Sequence, residues 1–167
     1  MARRLLLWLS CVALLALAGC GFGLRQNPDF PFSSLYSNLP PLSPLGIELK
    51  RVLRSSPNLI YIDEPGRLNE AQVILDVYGE QRTKTVLGLN AKGQVREFQL
   101  RLNLKFRLRT PLGKELIPET ELVQQRTLSF DEAFALAKEG EEALLYRNMQ
   151  SDMVQQILRR LAAVKQL

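Results

Sequence analysis

Apolar and polar side chains alternate without a break along Glu97-Phe98-Gln99-Leu100-Arg101-Leu102-Asn103-Leu104-Lys105-Phe106-Arg107-Leu108-Arg109. Successive side chains of a β-strand point to opposite faces of the sheet. This segment therefore predicts a long strand with one buried face and one solvent-exposed face. The solvent-exposed face carries Arg101, Asn103, Lys105, Arg107 and Arg109. An alternation of this length is typical of an antiparallel sheet that is covered on one side only.

Two further long strands flank this segment. Residues 71–87 predict a strand with Val73, Leu75 and Val77 on one face, and the loop at residues 90–93 contains a glycine suited to a hairpin. Residues 110–113 predict a turn, and residues 114–129 predict a further strand that is interrupted near Pro118.

The part of the chain before these strands is rich in proline. Residues 30–36 predict one short strand at an edge of the sheet, where flanking prolines are tolerated. Ser43-Pro44 is a typical helix start, with serine as N-cap and proline in the first turn. The predicted helix, residues 43–55, has an apolar stripe of Leu45, Leu49, Val52 and Leu53, and a short strand follows at residues 59–62.

The C-terminal part is predicted to be helical. A short first piece contains Phe134 and Leu136, a bend is expected at Gly140, and an amphipathic helix covers residues 141–165. Its apolar residues recur every three or four positions: Leu145, Met149, Met153, Ile157, Leu161 and Val164. The predicted fold class is therefore α+β: a two-layer sandwich whose mostly antiparallel sheet of about four strands is covered on one face by two helices.

The N-terminus has the features of a secretory signal. Arg3 and Arg4 precede a short apolar run, which ends in Leu17-Ala18-Gly19-Cys20. These four residues resemble the lipobox of bacterial lipoproteins. The resemblance implies that Cys20 receives a diacylglyceryl group and an N-acyl chain after cleavage, and the residue after it, Gly21, favours the outer membrane as destination. An ordinary cleaved signal with a coincidental cysteine is the alternative.

Composition narrows the functional classes. Once the signal with Arg3 and Arg4 is removed, 20 basic and 17 acidic side chains give a net charge of +3. This charge does not indicate a nucleic-acid-binding protein. The chain has no histidine, and its two cysteines are Cys11 and Cys20. The usual general base, most zinc sites and a disulfide within the mature domain are thus excluded. We expect no catalytic residues, no metal and no cofactor other than the covalent lipid on Cys20.

Three segments together resemble the LptE (RlpB) family of lipopolysaccharide-assembly lipoproteins. The first is Gly19-Cys20-Gly21-Phe22-Gly23-Leu24-Arg25, and the second is Gly93-Gln94 leading into Glu97-Phe98-Gln99-Leu100. The third is Phe134-Ala135-Leu136-Ala137-Lys138-Glu139, followed by Glu141-Glu142 and the helix from Met149 to Leu161. The expected domains are a cleaved signal (1–19), a lipidated proline-rich entry segment with one short strand (20–42) and an LptE-like α+β domain (43–167).

The resemblance implies a role without catalysis. Members of this family pair with the β-barrel LptD as a heterodimer, lie largely inside its lumen, and help to deliver lipopolysaccharide to the outer leaflet. The expected location is the outer membrane, lipid-anchored, facing the periplasm and within the barrel lumen.

Basic residues are the candidates for binding lipopolysaccharide, whose phosphates attract arginine and lysine. Lys138 matches the family's Ala-Leu-Ala-Lys segment, and the others are Lys92 and Arg96 at the hairpin with Arg82 and Lys84 on the preceding strand. A large barrel has a polar lumen, so Arg101, Lys105, Arg107 and Arg109 are candidates for contact with its wall. The alternative is that these side chains serve only solubility.

Two rival functions remain open from the sequence. One is an assembly or scaffold lipoprotein of another outer-membrane complex that does not touch lipopolysaccharide. The other is a periplasmic hydrolase that uses carboxylates, which requires acidic side chains converging in a cleft.

Overall fold

A computed structural model describes residues 29–40 and 42–165. The predicted signal, Cys20 and Gly21 lie outside these residues. The elements follow in the order β1 (Ser34–Ser37), α1 (Pro44–Arg54), β2 (Ile60–Ile62), a 3-10 helix (Pro65–Glu70), β3 (Val73–Leu89), β4 (Val95–Arg109), β5 (Glu115–Ser129), a short 3-10 turn (Glu132–Phe134) and α2 (Ala135–Ala162).

The strands form one five-stranded mixed sheet in the order β2-β1-β3-β4-β5. β3, β4 and β5 are joined by antiparallel hairpins, whereas β1 runs parallel to both β2 and β3. The α+β class is confirmed, with five strands rather than about four. The prediction that the first strand lies at an edge is wrong. The strand begins after Pro31 and ends before Pro40, so no proline interrupts its hydrogen bonds to its two neighbours.

Both helices cover the same face of the sheet. The core beneath them holds alternate residues of β4, Leu100 to Leu108, together with Leu45, Leu49 and Leu53 of α1. α2 contributes Met149, Met153, Ile157 and Leu161, as its predicted stripe requires. Ser43 caps α1, because its Oγ accepts a hydrogen bond from the Gly46 amide at 3.3 Å.

A bulge in β3 reverses which side chains face the helices. Val77 pairs with Phe106, but the register then shifts between Tyr78 and Gln81, and Gly79 has a φ of 69°. Beyond the shift, Arg82 is opposite Leu102 and Lys84 is opposite Leu100. Opposed residues of an antiparallel pair share a face, so both cations point to the helix side.

Two predicted interruptions differ in outcome. α2 passes through Gly140 as one continuous helix from Ala135, so the predicted interruption there and the start at residue 141 are wrong. A single glycine lowers helix stability by only about 1 kcal/mol, which the packed remainder of α2 offsets. At Pro118 β5 continues, but its pairing with β4 shifts register between Phe106 and Leu108.

Candidate functional site

The five predicted lipid-binding cations lie toward one end of the sheet, which we call the hairpin end. It comprises the β3–β4 loop (90–94), the adjoining halves of β3 and β4, the end of β5 and the start of α2. The Asn90 side chain orders the loop, because its Oδ1 accepts from the amides of Lys92 and Gln94 at 2.9 Å. The Lys92 side chain is exposed and has no partner among the residues that the structure describes.

Arg82 and Lys84 line a cavity of about 460 Å³ between β3 and α2. The Lys84 ammonium lies 2.6 Å from a Glu142 carboxylate oxygen and 4.3 Å from the centre of the Phe98 ring. The Arg82 guanidinium lies 5.3 Å from the centre of the Tyr146 ring, a cation–π distance, and its Nη2 lies 3.9 Å from a Glu80 carboxylate oxygen. The bulge at Gly79 therefore directs these two cations toward the first turns of α2.

The other two cations of this end are also paired. Arg96 Nη1 lies 3.5 Å from an Asp131 carboxylate oxygen. The Lys138 ammonium donates to Ser129 Oγ at 3.0 Å and to Glu141 at 2.7 Å, and only 20% of its side chain is exposed. Lys92 is thus the cation most available to a ligand, and Lys138 the most enclosed.

Three features of the hairpin end were not predicted from the sequence. Glu142 and Tyr146 lie one and two turns after Lys138 on α2, a spacing that would have placed them on its face. Tyr146 donates from its hydroxyl to the Thr83 carbonyl at 3.0 Å, and burial, with the nearby Glu142 carboxylate, raises its pKa. Exposed apolar side chains also gather here: Val86, Leu87, Leu89, Phe134, Leu136 and Leu144.

The predicted wall-contact residues share the sheet face opposite the helices, which we call the open face. Arg107 and Arg109 each place Nε 2.8 Å from the same carboxylate oxygen of Asp76 on β3. Burial alone would raise the pKa of Asp76, but the hydrogen bonds from Arg109 and Arg107 outweigh it and hold the pKa below its ordinary value.

The rest of the open face is a mixed polar surface. Glu119 accepts a hydrogen bond from the Tyr78 hydroxyl and another from Lys105 at 3.1 Å, and these bonds lower the pKa of Glu119. Arg101 donates to Asn103 at 3.1 Å. All four predicted wall-contact cations are therefore brought together on one surface, and three of them are ion-paired.

Two further properties bear on the chemistry of the domain. Within residues 29–40 and 42–165, no group of three or more His, Cys, Asp or Glu side chains is arranged to hold a metal ion. No helix in the same ranges combines the length and apolar character needed to cross a bilayer.

Comparison with known proteins gives consistent matches. Residues 33–161 match the family model "LptE: Lipopolysaccharide-assembly". The chain is 30% identical over 167 residues to the LPS-assembly lipoprotein LptE of Yersinia enterocolitica, covering 98% of this chain and 78% of that protein.

Solved structures share the fold. The solution NMR structure of uncharacterized lipoprotein B from Nitrosomonas europaea is 35% identical, with a TM-score of 0.71 over 86% of this chain and 91% of that one. The crystal structure of rare lipoprotein B from Shewanella oneidensis has a TM-score of 0.64 at 24% identity, over 78% of this chain and 92% of that one, and supports the fold alone.

Proposed function

Because the chain belongs to the LptE family of lipopolysaccharide-assembly proteins, we propose that it is an outer-membrane lipoprotein that binds lipopolysaccharide and plugs the LptD barrel. The observation that carries the proposal is the family match over residues 33–161, which spans both the hairpin end and the open face. The mechanism is binding, without a chemical step on the ligand.

The anchor is assigned to Cys20. The relatives that match over nearly the whole chain are named lipoproteins, and the sequence around Cys20 has the lipobox pattern. A diacylglyceryl group and an N-acyl chain would exceed the single chain that holds a protein only marginally at a membrane.

The hairpin end is assigned to lipopolysaccharide. Lys92 offers an unpaired ammonium at the loop tip, and Arg96 is held only by a 3.5 Å contact with Asp131. The exposed apolar side chains around them suit the acyl chains of the same ligand. Lys138, Lys84 and Arg82 contribute by exchanging their present partners for phosphate oxygens, so their carboxylate partners limit the affinity.

The open face is assigned to the barrel wall. Its arginines, lysine, carboxylates and amides form a mixed polar surface, which is compatible with a polar lumen. Contact through Arg101 is favoured, because its side chain is exposed and has no carboxylate partner in the described part of the chain.

The test is a photo-crosslinking scan in cells with a reactive residue placed singly at Lys92, Arg96, Arg101 and Arg107. We expect adducts with lipopolysaccharide from the two hairpin positions and adducts with the barrel from the two open-face positions. Arg147, which is exposed in the middle of α2, is the matched control and should give neither. Barrel adducts from the hairpin end without lipopolysaccharide would contradict the assignment.

A scaffold role without lipopolysaccharide contact is the second candidate. It is favoured by the pairing of four of the five hairpin-end cations with acidic side chains. The variant Lys92→Gln/Arg96→Gln separates the two functions. Loss of lipopolysaccharide binding with raised envelope permeability supports the first, whereas unchanged permeability supports the scaffold.

A further inference from the structure

The end of the sheet opposite the hairpin end has its own surface chemistry, and we call it the entry end. Leu35 pairs with Val73 and Ile74 pairs with Arg109, so the starts of β1 and β3 lie beside the end of β4. The β4–β5 turn (110–114) caps this end. The last turn of α2 also lies there, because Arg160 and Lys165 share a groove with Lys114.

The chain enters the domain at this end. β1 begins at Ser34, and Asp29 is the first described residue. An extended chain from Cys20 to Asp29 spans at most about 30 Å, at roughly 3.3–3.6 Å per residue. A lipid on Cys20 therefore holds the entry end near the bilayer, and this step rests on the proposed function.

The tip of the entry end exposes a leucine on a hydrogen-bonded turn. Leu112 is 98% exposed at the apex of the β4–β5 turn. The turn is closed by backbone hydrogen bonds from Gly113 to Thr110 at 3.0 Å and from Thr110 to Lys114 at 2.9 Å. An isolated exposed leucine is ordinary, but this one projects from a fixed turn at the end where the chain enters.

A basic groove lies beside that turn. Its volume is about 460 Å³, and its charged lining is Lys114, Glu115, Arg160 and Lys165. Arg160 and Lys165, with the neighbouring Arg159, have no carboxylate partner among the described residues. The α2 C-terminus contributes roughly half a negative charge, which is less than the positive excess of these side chains.

We propose that the entry end docks on an anionic phospholipid surface in the leaflet that holds the anchor. Leu112 enters the headgroup region, and the cations of the groove meet lipid phosphates. The hairpin end also exposes apolar side chains, but most of its cations are already paired with carboxylates. Charge complementarity therefore selects the entry end for the membrane.

The test uses the full processed protein and the variant Leu112→Trp. Trp8, in the predicted signal, is the only tryptophan of the chain, so the new indole is the sole tryptophan reporter after cleavage. The protein is placed on vesicles of phosphatidylcholine alone or mixed with phosphatidylglycerol, and its fluorescence is quenched with brominated lipid. We expect blue-shifted emission and quenching at Leu112→Trp that increase with phosphatidylglycerol.

Leu42→Trp is the matched control, because Leu42 is 88% exposed in the loop before α1, where the adjacent Ser43 contacts Glu80 near the middle of β3, away from both ends of the sheet. Its emission should stay that of a water-exposed indole on both vesicles. Equal quenching at the two positions, or none at Leu112→Trp, overturns the proposal. The variant Arg160→Gln/Lys165→Gln should remove the increase with phosphatidylglycerol, whereas Arg147→Gln should leave it unchanged.

The intact mass of the same preparation tests the anchor separately. A lipidated mass with no quenching overturns the docking surface and leaves the proposed function standing. A bare Cys20 overturns the anchor. In that case the unlipidated protein should still float with phosphatidylglycerol vesicles through the entry end, and failure to float overturns the docking surface as well.

Discussion

Asp76 connects two arginines on the open face and is itself only 13% exposed on its side chain. Its carboxylate accepts from Arg107 and Arg109, so three neighbouring side chains of β3 and β4 hold a fixed arrangement. Exposed ion pairs contribute little to stability, but a pair with one enclosed partner is less screened by solvent. Asp76 is therefore the residue at which the open face is most sensitive to substitution.

We predict that Asp76→Asn lowers the free energy of unfolding by about 1 kcal/mol at pH 7, because it removes the charge that both arginines share. Urea unfolding of the two proteins measures the difference. Glu119→Gln is the matched control, since that carboxylate lies on the same face but is more exposed. A larger loss for the control than for Asp76→Asn would contradict the ranking.

The ion pairs of Asp76 with Arg107 and Arg109 also predict how the free energy of unfolding depends on pH. The pKa of Asp76 is lowered in the folded protein from its ordinary value of 3.8. The stabilisation from this group is therefore complete above pH 3.8 and is lost as the pH falls through the folded-state pKa. The stability difference between the wild type and Asp76→Asn should narrow in that acid range, and a difference that grows with acid would contradict the pairing.

Among the helices and strands, two glycines differ in whether the backbone at their position requires glycine. Gly79 forms the β3 bulge with a φ of 69°, a conformation that other residues adopt only with strain. Gly140 lies inside α2 with nothing near the position of an added Cβ. The bulge redirects Arg82 and Lys84, whereas α2 continues through Gly140 without interruption.

We predict opposite changes for alanine at these two positions. Gly79→Ala should lower the free energy of unfolding by about 1–2 kcal/mol through backbone strain. Gly140→Ala should raise it by about 0.5–1 kcal/mol through helix propensity. Thermal or urea unfolding of each single variant measures both, and a destabilised Gly140→Ala would indicate that a kinked α2 is populated.

Local patterns account for the elements better than for their arrangement. The alternation along β4 and the stripe of α1 predicted their buried faces correctly, because both depend on residues near in sequence. The parallel position of β1 depends on partners about 25–40 residues away in the sequence, which no local period encodes. Likewise, the cations of the hairpin end could be identified from the sequence. Their carboxylate partners Asp131 and Glu142 became evident only from the structure, which places the end of β5 and the start of α2 beside these cations.

For the whole molecule, stability depends chiefly on the apolar layer between helices and sheet, and a smaller cluster of Tyr36, Ile62, Ala71 and Ile74 lies on the opposite sheet face. Residues 29–165 contain no cysteine, so no disulfide assists the core there. Leu104 at the centre of β4 is fully buried in that layer, together with Phe106 and residues of α2. Loss of such a side chain removes contacts that nothing else in the molecule replaces.

We predict that Leu104→Ala lowers the free energy of unfolding by about 2–5 kcal/mol, from lost burial and the cavity that remains. Leu144→Ala is the matched control, because Leu144 is half exposed on α2, and its effect should be within about 0.5 kcal/mol. Equilibrium unfolding in urea, followed by far-UV circular dichroism, measures both. Similar losses for the two variants would contradict the central place of Leu104 in the layer between helices and sheet.

The position of β1 between two parallel neighbours determines how the domain resists a pull on its N-terminus. A force transmitted from a membrane tether would act along β1, whose hydrogen bonds to β2 and β3 would then be loaded together in shear. A strand at the end of a hairpin would instead unzip one bond at a time. Although β1 is short, it is therefore the strand that bears the load when the domain is pulled from its N-terminal side.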